Sequence, residues 1–126
     1  TRIYGYFERV SFYSFFLLKE KIMQRKAFKM YLFPGHIEEY KKRHDEIWPE
    51  LLNYLKTFGI ANYSIFLDEV SLTLFAYLEA PNLDLLADLP NHPIMKKWWA
   101  YMADIMKTNP DNSPVSDDLT SLFYMP

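Results

Sequence analysis

The order of strand-like and helix-like hydrophobic patterns restricts this 126-residue chain to few folds. Strands bury alternate residues, whereas helices bury residues three or four apart, so the spacing of apolar side chains distinguishes the two. From residue 26 onward the pattern predicts strands over 26–33, 60–67, 71–79 and 119–125, helices over 36–58 and from after Pro93 to about 106, and one or two helical turns over 83–89. Pro49 lies inside the first helical pattern, where it either kinks the helix or begins a second one.

The resulting order, β-α-β-β-α-β, is the split βαβ or ferredoxin-like arrangement of the α+β class. The two middle strands are joined by a short turn at Asp68 and Glu69, which predicts an antiparallel hairpin. Helices that cover one face of an antiparallel sheet leave its other face open. We therefore expect a second copy of the chain to cover that face and to complete a dimeric α+β barrel.

Residues 1–22 do not fit this pattern. The segment is rich in Tyr and Phe but follows neither a strand nor a helix period. We hypothesise that Met23 is the natural start and that residues 1–22 are translated upstream sequence, because Lys19-Glu20 can be encoded by the ribosome-binding sequence AAGGAG. A genuine extra strand or a dimer arm is the alternative. Residues 23–126 are expected to form a single ferredoxin-like domain.

Composition excludes several classes of function. The chain has 14 Lys and Arg against 16 Asp and Glu, which leaves no basic surplus for binding nucleic acid. The absence of cysteine excludes a disulfide scaffold, a thiolate nucleophile and Cys-ligated zinc. The apolar run at 10–18 is shorter than the ~20 residues of a membrane span, and no cleavage site follows it. We expect a cytoplasmic protein that binds neither nucleic acid nor membranes.

Two polar residues on the inward face of the first helix indicate a ligand pocket. Tyr40 and His44 are four residues apart and lie one turn apart on the same face as the apolar stripe. A buried imidazole or phenol without a hydrogen-bond partner costs about 1–3 kcal/mol, so the pair favours a polar pocket between helix and sheet. Both can also be satisfied core residues. In a pocket, His44 can transfer protons near neutral pH.

Three more aromatic residues are candidates for the walls of this pocket. Trp98 and Trp99 point about 100° apart on a helix, so one can fill the core while the other lines the pocket. Tyr63 opens the second strand and can place its hydroxyl in the same cavity. Such rings stack on the C–H faces of sugars, and their N–H and O–H groups bind hydroxyls. Plain core packing is the alternative, and periodicity favours it for Trp98.

A metal site is disfavoured by spacing. His36, His44 and Asp45 do not form the ligand set of a zinc site. His36 is expected to cap the helix or to stay solvated, and His92 to lie in a loop. No glycine-rich phosphate loop is present, and no serine has a nucleophile elbow around it.

Six short motifs then occur in a specific order and spacing. They are Tyr40-Lys-Lys-Arg-His44, Ile47-Trp-Pro-Glu50, Asn62-Tyr63, Trp98-Trp99 followed by Tyr101-Met102, Asn109-Pro-Asp-Asn-Ser-Pro-Val115, and the ending Phe123-Tyr-Met-Pro126. Together they resemble the L-rhamnose mutarotase family over a stretch from about Met23 to Pro126.

The resemblance implies a ferredoxin-like homodimer that interconverts the α and β anomers of L-rhamnose without a cofactor or a metal. It implies that His44 is the acid/base residue. It also implies that the substrate-binding residues are Tyr40, Tyr63, Trp98 and Trp99. Ring opening needs one proton given to the ring oxygen and another taken from the anomeric hydroxyl, and an imidazole can carry out one of these transfers.

Two other classes of protein stay open at this stage. Dimeric ferredoxin-like barrels include haem-degrading and antibiotic-oxidising monooxygenases, in which His44 would bind haem or a metal and a tryptophan would press on the cofactor. A non-catalytic sugar-binding module is the second alternative. The physiological sugar is also open, because related 6-deoxy sugars differ only in the orientation of their hydroxyl groups.

Overall fold

The elements follow the predicted order along the chain. The computed structural model describes residues 23–126, and the predicted N-terminal extension, residues 1–22, lies outside them. The strands are β1 (Gln24–Tyr31), β2 (Ala61–Asp68), β3 (Thr73–Ala80) and β4 (Asp117–Leu119). The helices are α1 (Ile37–Asp45), α2 (Pro49–Thr57) and α3 (Pro93–Met102), and a 3₁₀ helix, Leu83–Asn91, lies between β3 and α3.

The four strands form one antiparallel sheet in the order β2-β3-β1-β4. In the two central strands, Met30 lies opposite Leu74 and Phe28 opposite Ala76. Side chains alternate between faces along a strand, so these apolar residues share the face that packs against the helices. This strand order and the single helix layer confirm the predicted ferredoxin-like α+β fold.

Pro49 divides the first predicted helix into two. It occupies the first turn of α2, where its missing N–H removes no helical hydrogen bond. The preceding residue, Trp48, is extended with φ −62° and ψ 130°, as expected for a residue before proline. Of the two possibilities that the sequence left open, the start of a second helix is the correct one.

The core lies between the helices and the inner face of the sheet. Leu74 of β3 and Leu51 of α2 are 2% and 1% exposed, and Met102 at the end of α3 is 2% exposed. Ile105, which follows α3, is 1% exposed. Burial of this order contributes about 1.5–3 kcal/mol per large aliphatic side chain and fixes the helices over the sheet.

The predicted boundaries of the first three strands are off by one or two residues, and the largest boundary errors lie near the C-terminus. The last helix ends at Met102 instead of residue 106, and the last strand spans Asp117–Leu119 instead of 119–125. Strand β4 pairs with β1 only as far as Leu119, which lies opposite Ala27. The apolar side chains beyond it are exposed, for example Leu122 at 93%. Strand preference depends on packing against neighbours, and the tail finds little packing surface within the chain.

No helix between residues 23 and 126 is both long enough and apolar enough to cross a membrane.

Candidate active site

A cavity of about 1370 Å³ lies between the first two helices and the inner face of the sheet. Apolar residues of β1 and β3 form its floor, and α1 and α2 form its opposite wall. The structure brings all five predicted site residues to this cavity: Tyr40, His44, Tyr63, Trp98 and Trp99. They come from α1, β2 and α3, so only the folded chain assembles them.

Helix α1 sets the geometry of Tyr40 and His44. Their four-residue spacing stacks the two rings, with centroids 4.3 Å apart and an interplanar angle of 26°. His44 Nδ1 lies 3.0 Å from the carbonyl oxygen of Tyr40. A carbonyl oxygen can only accept, so Nδ1 carries the hydrogen and donates it. In the neutral ring the lone pair is therefore on Nε2.

Burial controls the protonation of these groups. It lowers the pKa of His44 below the ordinary 6.5, against smaller opposing effects of the bond to the Tyr40 carbonyl and of the Asp45 charge. Tyr40 is 8% exposed, and burial raises the pKa of its phenol, with a smaller contribution from Tyr63. Near pH 7 the site therefore holds a neutral imidazole beside protonated phenols.

Tyr63 reaches the cavity from β2. Although 42% of its surface is exposed, burial around its hydroxyl raises the pKa of the phenol to about 12. Tyr40 and Tyr63 line the same cavity. The pair presents hydrogen-bond donors from opposite walls of the cavity.

The two tryptophans of α3 differ in burial as their angular separation predicts. Trp98 is 7% exposed and Trp99 is half-buried. Trp98 meets the His44 ring edge-on, with centroids 5.4 Å apart at 87°. Behind it, Trp48 packs edge-on against Trp98 at 5.1 Å. The imidazole is thus held between Tyr40 on one side and an aromatic pair on the other.

Arg43 is a buried charge that the sequence reasoning missed. Its side chain is 9% exposed, and its guanidinium donates to both carboxylate oxygens of Asp104 at 2.8 and 3.2 Å. It also donates to Glu39 at 2.9 Å and to the Tyr101 carbonyl at 2.6 Å. These bonds tie α1, one residue before His44, to the end of α3. In the sequence, the only local indication of an ion pair at Arg43 is its four-residue spacing from Glu39.

The other two histidines lie elsewhere. His36 precedes α1 and makes no side-chain capping bond. His92 lies in the connection between the 3₁₀ helix and α3, as predicted, and it also caps α3, because its Nδ1 accepts from the Ile94 N–H at 3.0 Å. Over residues 23–126, the structure places no three His, Cys, Asp or Glu side chains together as a metal site.

A polar loop forms one rim of the cavity. Asn109 and Ser113 line it, together with Pro114. Within the loop, the Asn109 amide donates to Ser113 Oγ at 3.0 Å, and the Ser113 N–H donates to Asp111 at 3.0 Å. The motif at 109–115 was visible in the sequence, but its place at the cavity follows only from the tertiary fold.

The fold and the cavity define a ferredoxin-like α+β protein with a small-molecule site between its helices and its sheet. The L-rhamnose mutarotase family model matches residues 25–125. The chain therefore belongs to the L-rhamnose mutarotase family, and the predictions of this family and of an enzyme are confirmed.

Individual relatives agree with this assignment. An L-rhamnose mutarotase of Rhizobium leguminosarum bv. trifolii is 59% identical over 104 residues, which are 82% of this chain and 98% of the relative. One from Listeria monocytogenes serovar 1/2a is 56% identical over 103 residues, 82% of this chain and 99% of the relative. The crystal structure of an L-rhamnose mutarotase from Formosa agariphila matches with a TM-score of 0.77 and 52% identity, covering 82% of this chain and 99% of that one.

Proposed function

We propose that this protein interconverts the α and β anomers of L-rhamnose, with His44 as the acid/base residue and without a cofactor. The single observation that carries the proposal is the state of His44. Burial lowers the pKa of His44 and so favours the neutral ring at pH 7, and the bond from Nδ1 to the Tyr40 carbonyl leaves the lone pair of that neutral ring on Nε2. Family membership supplies the class of substrate.

The reaction requires two coordinated proton transfers. Nε2 of His44 takes the proton of the anomeric hydroxyl as the C1–O5 bond breaks and C1 becomes an aldehyde. The electron pair of the broken bond stays on O5, which receives a proton from a tyrosine hydroxyl or a water. After rotation about C1–C2, O5 attacks the other face of the aldehyde and both protons return. Each proton transfer by a positioned side chain accelerates the reaction by about 10²–10⁴-fold.

The phenols suit the donor role. Their raised pKa values keep Tyr40 and Tyr63 protonated at pH 7. A protonated hydroxyl can donate a hydrogen bond to O5 as negative charge develops there, which stabilises the transition state more than the ground state.

The aromatic walls suit an intermediate that must turn without escaping. The open-chain aldehyde has free torsions, and confinement keeps its C1 close to O5 for reclosure. Trp98 and Trp99 offer broad apolar faces to the C–H groups of the sugar, while the cavity of about 1370 Å³ leaves room for rotation about C1–C2.

We also propose that the active form is a homodimer joined through the sheet face that carries no helix. Phe66 and Phe75 lie opposite each other on this face and are 68% and 38% exposed. Leu119 of β4 adds a third exposed apolar side chain, at 39%. Exposed apolar side chains on one sheet face favour association, and two identical copies can cover such a face by twofold symmetry.

The test is the anomer exchange rate measured by saturation-transfer NMR on a panel of L-rhamnose, L-fucose, L-mannose and D-galactose. We expect the wild-type protein to accelerate exchange of L-rhamnose most. Quenching of tryptophan fluorescence by L-rhamnose without faster exchange would identify a binding module instead. A Soret band in the purified protein would identify a haem protein and would also contradict the proposal.

A further inference from the structure

Strand β2 carries a one-residue bulge next to the cavity. Ala61 pairs with Glu79 and Ser64 pairs with Tyr77, so two residues of β2 face the single residue between them on β3. The first of these two, Asn62, has φ 51°. A left-handed residue at this position is characteristic of a bulge, where glycine is usual and asparagine is the best-tolerated alternative.

Asn62 is held in this conformation by a carboxylate on β3. Its side-chain amide donates to one oxygen of Glu79, and the Tyr77 hydroxyl donates to the other oxygen at 3.1 Å. A carboxylate that accepts from two donors is fixed in position. The backbone of Asn62 is thus tied to the neighbouring strand by its own side chain, in addition to the strand ladder.

The second residue of the bulge is Tyr63. Ser64 pairs with Tyr77 on the face of the sheet away from the helices, so alternation along the strand turns Tyr63 toward the cavity. Because a bulge bends its strand and increases the local twist, the torsions of Asn62 determine the direction of the Tyr63 ring.

We propose that Asn62 and Glu79 are positioning residues for Tyr63. Their amide–carboxylate bond holds the left-handed backbone that directs the Tyr63 hydroxyl toward the sugar. This inference rests on the proposed function, in which Tyr63 binds the substrate. Asn62 also lines the cavity, so the test must separate positioning from direct contact with the sugar.

Four variants make this separation. Asn62→Ala removes both the amide and the preference for a left-handed backbone, whereas Asn62→Gly removes the amide but keeps easy access to that conformation. Glu79→Ala removes the acceptor without touching the cavity side of Asn62, and Glu79→Gln keeps one acceptor oxygen. Asn53→Ala, at an exposed position on α2, is the matched control.

The readouts are KM and kcat for L-rhamnose exchange and the sugar affinity from tryptophan fluorescence. We expect Asn62→Ala and Glu79→Ala each to raise KM by about tenfold, the effect of one well-placed hydrogen bond, with kcat changed less than about threefold. The double variant is expected to be no worse than either single one, because the two residues act as one unit. Asn62→Gly and Glu79→Gln should stay within about threefold of wild type.

Three results would overturn the inference. The first is that Tyr63→Phe raises KM but Glu79→Ala leaves it unchanged, which would show that the bond between Asn62 and Glu79 does not position Tyr63. Equal losses in Asn62→Gly and Asn62→Ala would show direct contact by the amide. If the wild-type protein neither binds L-rhamnose nor accelerates its exchange, the proposed function fails and this inference with it. If circular dichroism shows that Asn62→Ala does not fold, the results for Asn62→Gly and Glu79→Ala still test whether Asn62 and Glu79 position Tyr63.

Discussion

Replacing Arg43 by alanine should destabilise the protein by about 2–3 kcal/mol. The bond from the buried guanidinium to the Tyr101 carbonyl, at 2.6 Å, belongs to a class worth about 1.5–3 kcal/mol. The side chains of Asp104 and Glu39 are 65% and 42% exposed. Each ion pair therefore adds only about 0.2–1 kcal/mol, and water partly compensates the freed carboxylates.

Thermal unfolding followed by circular dichroism measures this loss directly. For a domain of roughly 100 residues, about 2–3 kcal/mol corresponds to a Tm lowered by about 10–20 °C. Arg43→Lys should restore only part of the lost stability, because an ammonium group cannot form the bidentate hydrogen bond to Asp104. Lys42→Ala, the exposed neighbour on the same helix, is the control and should shift Tm by less than about 3 °C. If Arg43→Ala unfolds like Lys42→Ala, the guanidinium does not anchor α1 and this reasoning is wrong.

Three further predictions concern the site and the assembly. Tyr40→Phe should slow anomer exchange less than His44→Ala does, because a hydrogen-bond donor is lost but the base stays; an equal loss in saturation-transfer NMR would make the phenol a proton carrier. The exchange rate should be independent of pH above about 6.5 and should fall as the pH drops through the lowered pKa of His44. The reason is that burial lowers this pKa and only the neutral imidazole acts as a base. An exchange rate that rises as the pH is lowered would contradict the role of His44 as the base. Phe66→Asp combined with Phe75→Asp should convert a dimer into a monomer in light scattering after size exclusion, whereas a wild-type protein that is already monomeric would refute the proposed interface.

Hydrophobic periodicity explains why much of this site could be predicted. Tyr40 and His44 interrupt an apolar stripe, so they had to share the inward face of α1 wherever the helix packed. The adjacent Trp98 and Trp99 similarly had to divide between core and cavity wall. Patterns of this kind depend on neighbours three or four residues away and are visible in the sequence itself.

The features that could not be predicted depend on distant partners. Arg43 lies in a basic run that resembles a solvated face, and Asp104, which pairs with it, is 61 residues away. The bulge at Asn62 exists only in relation to the register of β3. His92 caps a helix by accepting through its ring, a role that serine, threonine, aspartate and asparagine usually fill. Tertiary pairing decides the first two, whereas the third is a local contact to Ile94 made by an unusual capping residue.

The role of His44 in moving the proton during anomer exchange can be tested by comparing three proteins. Saturation-transfer NMR on L-rhamnose at pH 7 is run on wild type, His44→Ala and His36→Ala, with folding checked by circular dichroism. His36 makes no side-chain capping bond, and its variant serves as the matched histidine control. We predict that His44→Ala stays folded and loses about 10²-fold or more of the exchange rate, while His36→Ala keeps it. Undiminished exchange in folded His44→Ala would show that another group moves the proton.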